Sequence, residues 1–121
     1  MNVLVVDDST IMQKKISRIF NEHPEVQKVT TAGNGTQAIE CFRSGAPHIV
    51  TLDITMPEMD GLSCLRWMMA ENPDCIIFII TALNDVETGL RALKLGARGY
   101  IKKPFKSSDL LGEIQRLVVP A

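Results

Sequence analysis

Five polar side chains suited to phosphate or metal chemistry end short aliphatic runs in this 121-residue chain. Asp7 and Asp8 follow NVLVV, and Asp53 closes IVTLD. Thr81 follows CIIFII, and Lys103 follows GYIK. Because an unpaired charge among apolar residues is costly, each carboxylate must lie at the open end of a strand or meet a cation.

The three carboxylates predict a cation site, because like charges close together raise one another's pKa. Magnesium prefers oxygen ligands, commonly one or two carboxylates with waters and a substrate phosphate. An ion held by Asp8 and Asp53, with Asp7 nearby or acting through water, leaves room for a phosphoryl group. The acidic pair alone is a weaker signal, since Asp7 and Asp8 could instead favour the dipole of a following helix.

Lys102 and Lys103 are the candidates for the positive charge of the site. Successive side chains of a strand point to opposite faces, so only one of the two lysines can enter the site. We expect Lys103 to do so, because it precedes Pro104 and an X-Pro bond can be cis in a tight turn. Lys102 is then solvated, and the alternative for both is a basic edge of the sheet. The Thr81 hydroxyl could donate a hydrogen bond to a phosphoryl oxygen.

Aliphatic runs of strand type alternate along the chain with segments of helical period. Several runs are apolar almost throughout, as in a parallel sheet covered on both faces. We predict strands at about 2–6, 28–32, 48–52, 75–80 and 98–101. Helical spacing predicts apolar faces on three helices, made of Met12, Ile16, Ile19 and Phe20; of Leu62, Leu65, Met68 and Met69; and of Leu110, Leu111, Ile114, Leu117 and Val118.

Glycine, asparagine and proline mark where the helices begin and end. The stretch Gly33 to Gly35 opens the second helix, and Gly45 with Pro47 closes it. Asn72 and Pro73 close the third helix in the same way.

The alternation predicts an α/β fold of (βα)5 type. We expect a doubly wound, flavodoxin-like parallel sheet of five strands in the order 2-1-3-4-5, with helices on both faces. Ligands of such folds bind at the carboxyl ends of the strands, near the switch between strands 1 and 3. That edge is where Asp7, Asp8 and Asp53 are predicted to meet, joined by Thr81 and Lys103 from strands 4 and 5. The length fits one domain, residues 1–121.

Composition excludes several classes of function. Thirteen basic against fourteen acidic residues give a net charge of −1, which does not favour a general nucleic-acid or membrane-surface binder. Three cysteines without CxxC spacing predict reduced thiols in a cytoplasmic protein, not a disulfide framework or zinc site. We expect no signal peptide, and no stretch approaches the ~20 apolar residues of a membrane span.

The chain resembles the response-regulator receiver domain of two-component signalling, and most closely its CheY-like single-domain members. The matching pieces are VLVVDDS, LDITMPEMDG, IITA and LGARGYIKKPF, in the order and spacing of the family. The resemblance implies that Asp53 is the phosphoacceptor. It also implies a magnesium site made by Asp7, Asp8 and Asp53, with the backbone carbonyl of Thr55 as a further ligand.

The resemblance assigns roles to other positions as well. Thr81 and Lys103 match the residues that bind the phosphoryl oxygens. Tyr100 matches the aromatic side chain that moves between outward and inward positions, and Pro57 and Gly61 shape the loop behind the phosphoacceptor.

Two positions depart from the best-known members of the family. Thr55 and Leu83 stand where other members often carry other side chains, many of them polar or charged. Both flank the expected path of the hydrolytic water, so the lifetime of the phosphorylated state is open.

The resemblance implies a signalling phosphoacceptor, not an enzyme with turnover. The phosphoryl group would come from a phosphohistidine of a sensor histidine kinase or from a small phosphodonor. Phosphorylation would draw Thr81 toward the phosphoryl group, and Tyr100 would fill the vacated space. A monomer would then present helix 4, strand 5 and helix 5 to a protein target, in a chemotaxis or motility role. Four cations on or near that face would suit an acidic partner surface, although each of them singly could equally be ordinary solubilising charge: Arg91, Lys94, Lys102 and Lys106.

Three alternatives remain open on the sequence. A haloacid dehalogenase-type phosphatase also uses a nucleophilic aspartate, but has a second aspartate where this chain has Thr55. A flavin carrier shares the fold, but Asp7 and Asp8 would repel the flavin phosphate. The chain could also be a receiver cut from a longer DNA-binding or enzymatic regulator, although VVPA looks like a natural end.

Overall fold

Strands and helices alternate strictly in the computed structural model, which describes residues 1–55, 60–82 and 85–118, and side chains as far as residue 116. The strands are β1 (Asn2–Val6), β2 (Lys28–Ala32), β3 (Ile49–Asp53), β4 (Ile76–Ala82) and β5 (Gly99–Lys103). The helices are α1 (Thr10–Asn21), α2 (Gly35–Gly45), α3 (Gly61–Glu71), α4 (Val86–Lys94) and α5 (Ser107–Val118). None of the helices in these ranges is long and apolar enough to cross a membrane.

The strands form one parallel sheet in the order β2-β1-β3-β4-β5, which confirms the predicted topology. β1 lies beside β3 with Val6 opposite Leu52. The residue that follows Val6 and the residue that follows Leu52 therefore leave the sheet side by side. This register brings Asp7 and Asp53 to the same edge.

Two apolar layers cover the two faces of the sheet. One cluster includes buried residues of α1 and α5, among them Ile16, Phe20 and Leu110. The other includes buried residues of α2, α3 and α4, among them Phe42 and Leu65. The predicted helical faces agree with these clusters, except that Leu117 and Val118 lie outside the described side chains.

The predicted ends of three strands need correction, and the first of them is β3, which ends at Asp53 and not at residue 52. β4 continues to Ala82, and β5 continues to Lys103, beyond the apolar runs that located them. Thr81 pairs with Lys102, and Ala82 with Lys103. The backbone ladder does not require apolar side chains, so strands can continue past the hydrophobic signal that marks them.

Helix boundaries follow the capping residues. Ser9, Asn34 and Asp60 are the N-caps of α1, α2 and α3, and each accepts a backbone hydrogen bond from the first turn. α2 ends at Gly45 as predicted, but the left-handed residue is Ala46, with φ of 41°. α3 ends before Asn72, also as predicted.

Candidate functional site

Asp7 and Asp53 are buried charged residues at the carboxyl ends of neighbouring strands. Their relative exposures are 0% and 1%, whereas Asp8 is exposed. β3 is buried along its whole length. The expectation of an open strand end is therefore only half right, because Asp53 lies at the end of its strand but is covered. A buried carboxylate of this kind requires compensating partners.

Lys103 supplies one such partner for both aspartates. Its Nζ lies 3.1 Å from Asp7 Oδ2 and 2.9 Å from Asp53 Oδ2. Lys102 is exposed, so the alternation of the strand directs the two lysines as predicted. The Lys103–Pro104 peptide bond is cis. The ammonium group offsets part of the acidic crowding, so a divalent ion is not the only source of positive charge at this edge.

Burial and charge act in opposite directions on the lysine. Desolvation alone would lower the pKa of Lys103, but its hydrogen bonds and its attraction to Asp53 and Asp7 outweigh burial and raise that pKa. The lysine therefore stays protonated beside its two carboxylates at neutral pH.

The carboxyl group of Asp7 shows the cost of its position. Burial raises its pKa above the ordinary value, although hydrogen bonds from the Ser9 backbone and from Lys103 lower it in part. Repulsion from Asp53 adds to the increase. The negative charge of Asp7 is therefore less favourable in the folded chain than in water, and a further cation nearby would stabilise it.

The two buried aspartates have matching local turns. The backbone N–H of Ser9 donates to Asp7 Oδ1 at 2.9 Å, and that of Thr55 donates to Asp53 Oδ1 at 2.8 Å. The Thr55 hydroxyl also donates to Asp53 Oδ1, at 2.5 Å. Sequence reasoning missed this hydroxyl contact, because its only signal is an aspartate two residues before a polar residue, as in Asx turns. The role of the Thr55 carbonyl as a metal ligand stays a prediction.

The acidic cluster fits a small hard cation. Asp7, Asp8 and Asp53 each offer one carboxylate oxygen, and these oxygens all lie within 4.8 Å of one another. Oxygen donors from carboxylates, with one exposed member for access, match the preference of magnesium. The predicted convergence of three aspartates at one edge is therefore present in the fold.

Thr81 connects the site to the start of α4. Its side chain is buried, and its hydroxyl donates to the backbone carbonyl of Asp85 at 3.4 Å. Asp85 is the N-cap of α4, and its carboxylate accepts the N–H of Thr88. A movement of the Thr81 hydroxyl toward the aspartates would give up this bond to the helix cap.

Tyr100 lies half-buried on the face of the sheet that α4 covers, packed against the core cluster there. Gly89 of α4 lies against its ring, and a Cβ at Gly89 would lie 3.0 Å from Tyr100 Cδ2. Sequence reasoning missed Gly89, because a lone glycine in a helical pattern does not reveal what packs on it.

Gly61 allows a close approach behind the site, as expected of a residue that shapes this loop. A Cβ there would lie 2.5 Å from Ile54 Cγ2, closer than real Cβ contacts allow. The first turn of α3 is thereby held against the residue that follows Asp53. The other two positions singled out in this region, Pro57 and Leu83, lie outside the described residues.

Comparison with known proteins gives one family. The sequence model of the family described as response regulator receiver domain matches residues 3–115 of the chain. Over 116 residues the chain is 35% identical to the chemotaxis protein CheY of Listeria monocytogenes, covering 96% of this chain and 97% of that protein.

The chain is also similar to part of a larger enzyme and to solved receiver structures. It is 39% identical to protein-glutamate methylesterase/protein-glutamine glutaminase 2 of Nitratidesulfovibrio vulgaris, over 91% of this chain but only 30% of that protein. The chain therefore spans only about 30% of the length of its methylesterase relatives. The receiver domain of NtrX from Brucella abortus superposes with a TM-score of 0.87 at 28% identity, covering 98% of this chain and 99% of that one.

Proposed function

The chain belongs to the response regulator receiver domain family of two-component systems, and we propose that Asp53 is its phosphoacceptor. The observation that carries the proposal is the position of Asp53, which is buried at a strand end, contacts the Lys103 ammonium and belongs to one acidic cluster with Asp7 and Asp8. A phosphoryl group bonded there would lie close both to the positive charge of Lys103 and to a cluster able to bind a cation.

The reaction is a transfer of the phosphoryl group from a phosphohistidine nitrogen to a carboxylate oxygen of Asp53. The P–N bond breaks and the P–O bond forms, and the electron pair stays on the histidine nitrogen. Such transfers depend mainly on positioning and on neutralising charge. Lys103 already contacts Asp53 Oδ2 at 2.9 Å, so it is placed to bind an oxygen of the incoming group.

Asp7, Asp8 and Asp53, with the Thr55 backbone carbonyl, would hold magnesium. The ion would supply neutralisation of the negative charge that builds on the phosphoryl oxygens. The carboxylates of Asp7 and Asp8 would supply two of its oxygen ligands, and the raised pKa of Asp7 shows that its charge is incompletely compensated without an added cation.

Phosphorylation acts on the partner face through Thr81 and Tyr100. The added group carries about −1.5 to −2 charges, which would draw the Thr81 hydroxyl away from the Asp85 carbonyl. Tyr100 would then move toward the vacated space. The face made by α4, β5 and α5 would change with it as a two-state element. Exposed cations on or near this face suit an acidic protein target. Lys102 and Lys106 lie in β5 and just before α5, whereas Arg91 and Lys94 lie on the side of α4 that faces α3.

The proposed phosphodonor is a sensor histidine kinase. Ile11, in the first turn of α1 just after the acidic pair, is 80% exposed. A large apolar side chain so exposed beside an acidic rim suits packing against a donor protein, whereas a small phosphodonor would gain nothing from it.

The wider role follows the family and the similarity to CheY. We propose a single receiver domain over residues 1–121, acting in the cytoplasm in a chemotaxis-type pathway, as a signalling phosphoacceptor and not a turnover enzyme. The similarity to a methylesterase over part of its length supports the receiver assignment and carries no esterase activity to this chain.

The test is labelling by acetyl phosphate with magnesium, measured by intact-mass spectrometry. The wild type should gain one phosphoryl group, and chelation of magnesium should prevent the gain. Asp53→Asn should gain none, whereas Asp74→Asn, which changes an exposed aspartate, should label like the wild type. Labelling of Asp53→Asn to the wild-type level would overturn the proposal.

A further inference from the structure

A small cleft between α3 and α4 is surrounded by positive charge. Its volume is about 300 Å³. The side chains that line it are two half-buried leucines, Leu62 and Leu95, and three exposed cations, Arg66, Arg91 and Lys94. It therefore joins an apolar floor to a cationic rim.

The cations of the cleft have little compensation among the described residues. Arg91 lies 3.5 Å from Glu87, but the two side chains are 64% and 84% exposed, and such pairs are weak. Asp60 lies near Arg66, but its carboxylate caps α3 by accepting the N–H groups of Leu62 and Ser63. Of the residues in 1–55, 60–82 and 85–116, those that line the cleft include no carboxylate. In a chain of net charge −1 this is a local excess of positive charge.

The outer face of α4 continues the cleft with exposed apolar side chains. Val86, Leu90 and Leu93 are 38%, 50% and 36% exposed. Leu90 lies one helical turn before Lys94, on the same side of the helix. A partner that binds the cleft would therefore meet cations and aliphatic side chains together.

The first turns of both helices that form the cleft contact residues at or next to the acidic edge. The first turn of α3 is held against Ile54, the neighbour of Asp53, because Gly61 has no side chain. The first turn of α4 is held by the bond from Thr81 to the Asp85 carbonyl. A change at the site can thus alter the separation of the two helices.

We propose that this cleft binds an acidic amphipathic helix of a partner protein. Carboxylates of the helix pair with Arg66, Arg91 and Lys94, and one of its aliphatic side chains packs over Leu62 and Leu95. The cationic rim is complementary to a negatively charged partner. The apolar floor is too small and too open to enclose a ligand, which favours a protein segment that extends beyond the cleft. The dependence of binding on the state of Asp53 rests on the proposed function, whereas the binding site itself does not.

The experiment titrates isotope-labelled protein with a synthetic helical peptide of glutamate and leucine and follows backbone amide shifts. A peptide with lysine in place of glutamate is the matched probe. The cleft variant is Arg66→Gln/Arg91→Gln/Lys94→Gln. Its control, Lys14→Gln/Lys28→Gln/Arg98→Gln, removes the same charge from exposed positions elsewhere.

We expect the acidic peptide to shift amides of α3 and the outer face of α4, and the lysine peptide to shift none. The cleft variant should bind about tenfold more weakly, since exposed ion pairs are each worth a few-fold, and the control less than about twofold. Equal weakening in both variants would mean unspecific attraction and overturn the site. Shifts confined to β5 and α5, or self-association of the chain through this face, would overturn it as well.

Beryllofluoride, which mimics the phosphoryl group, tests the link to Asp53. We expect it to change the affinity for the acidic peptide by about fivefold or more, at the lower end of common coupling energies. The cleft variant must still be labelled by acetyl phosphate. If beryllofluoride leaves the affinity of the wild type unchanged although acetyl phosphate labels it normally, only the coupling is overturned. If the wild type is not labelled at all, the result counts against the proposed function.

Discussion

The acidic edge of the sheet and the outer face of α4 depart from ordinary burial in opposite ways. At the acidic edge, the carboxylates of Asp7 and Asp53 are 0% and 1% exposed among aliphatic strands. On α4, Leu90 is 50% exposed among charged neighbours, while Gly89 and Ala92 face the interior. One region buries charge and the other exposes apolar surface.

The difference indicates which kind of ligand each region favours. Buried carboxylates favour an incoming cation, because ionised Asp7 is held at an unfavourable position. Exposed leucines beside cations favour an incoming protein surface, because their apolar area stays in contact with water. Thr81 lies between the two regions, with its strand in the first and its hydroxyl bonded to the cap of the second.

Among the changes at the acidic edge and on α4, removal of the lysine should have the largest effect on stability. Lys103→Met leaves two buried carboxylates without their shared ammonium. The free energy of unfolding should fall by about 2 kcal/mol, below the usual figure for a fully buried pair because Lys103 is 26% exposed. Urea unfolding at neutral pH measures it. Lys102→Met, at the exposed neighbour, should change stability by less than about 0.5 kcal/mol; equal effects of the two would contradict the role of the bridge.

Neutralising Asp7 should have a smaller and opposite effect. Asp7→Asn should stabilise the magnesium-free protein by about 1 kcal/mol, as often happens when strain at a functional site is relieved. A raised folded-state pKa means that wild-type Asp7 contributes most to stability at low pH and loses that contribution as pH rises through its folded pKa.

The advantage of Asp7→Asn over the wild type should therefore be present at neutral pH and shrink as the pH falls toward the unfolded value of 3.8. Unfolding curves of both proteins across that range measure the difference. A stabilisation that is independent of pH would contradict the electrostatic cause.

A methyl group at Gly89 should move Tyr100 with little change in stability. The helical preference of alanine over glycine, about 1 kcal/mol, opposes the close contact with the ring. The net change of the Gly89→Ala variant should stay within about 0.5 kcal/mol. Tyr100 is the only tyrosine, so fluorotyrosine gives one resonance, which should shift. Gly112→Ala, where an added Cβ meets nothing within 4 Å, should leave that resonance unmoved.

The smallest effect is expected where α4 exposes its leucine. Leu90→Gln should change the free energy of unfolding by less than about 0.5 kcal/mol, because little apolar area leaves water on folding. Leu65→Ala, at a side chain that is fully buried in α3, should cost about 2–5 kcal/mol. Similar losses in the two variants would mean that Leu90 belongs to the core.

The sequence predicted the sheet and the meeting of the aspartates well, for a physical reason. Buried parallel strands are apolar throughout, and the order of a doubly wound sheet then determines which strand ends are neighbours. Asp7 and Asp53 needed only that information. Lys103 needed in addition the alternation of side chains along β5.

Contacts that depend on distances of a few ångströms could not be predicted in this way. The Thr55 hydroxyl on Asp53 depends on the local turn, and the contact between Gly89 and Tyr100 depends on how closely α4 approaches the sheet. The exposure of Leu90 was also hidden, because an apolar residue at helical spacing looks the same whether it packs inward or faces a partner. These features depend on tertiary packing, which the hydrophobic periodicity of the sequence does not reveal.

Binding of magnesium to the acidic cluster tests the central claim most directly. Titration calorimetry of the wild type with magnesium chloride should show one site, and Asp8→Asn should lose it, while Asp74→Asn should keep it. This result would mean that the carboxylates which converge at the ends of β1 and β3 hold the ion together. Absence of binding to the wild type, or equal binding to Asp8→Asn, would contradict the account.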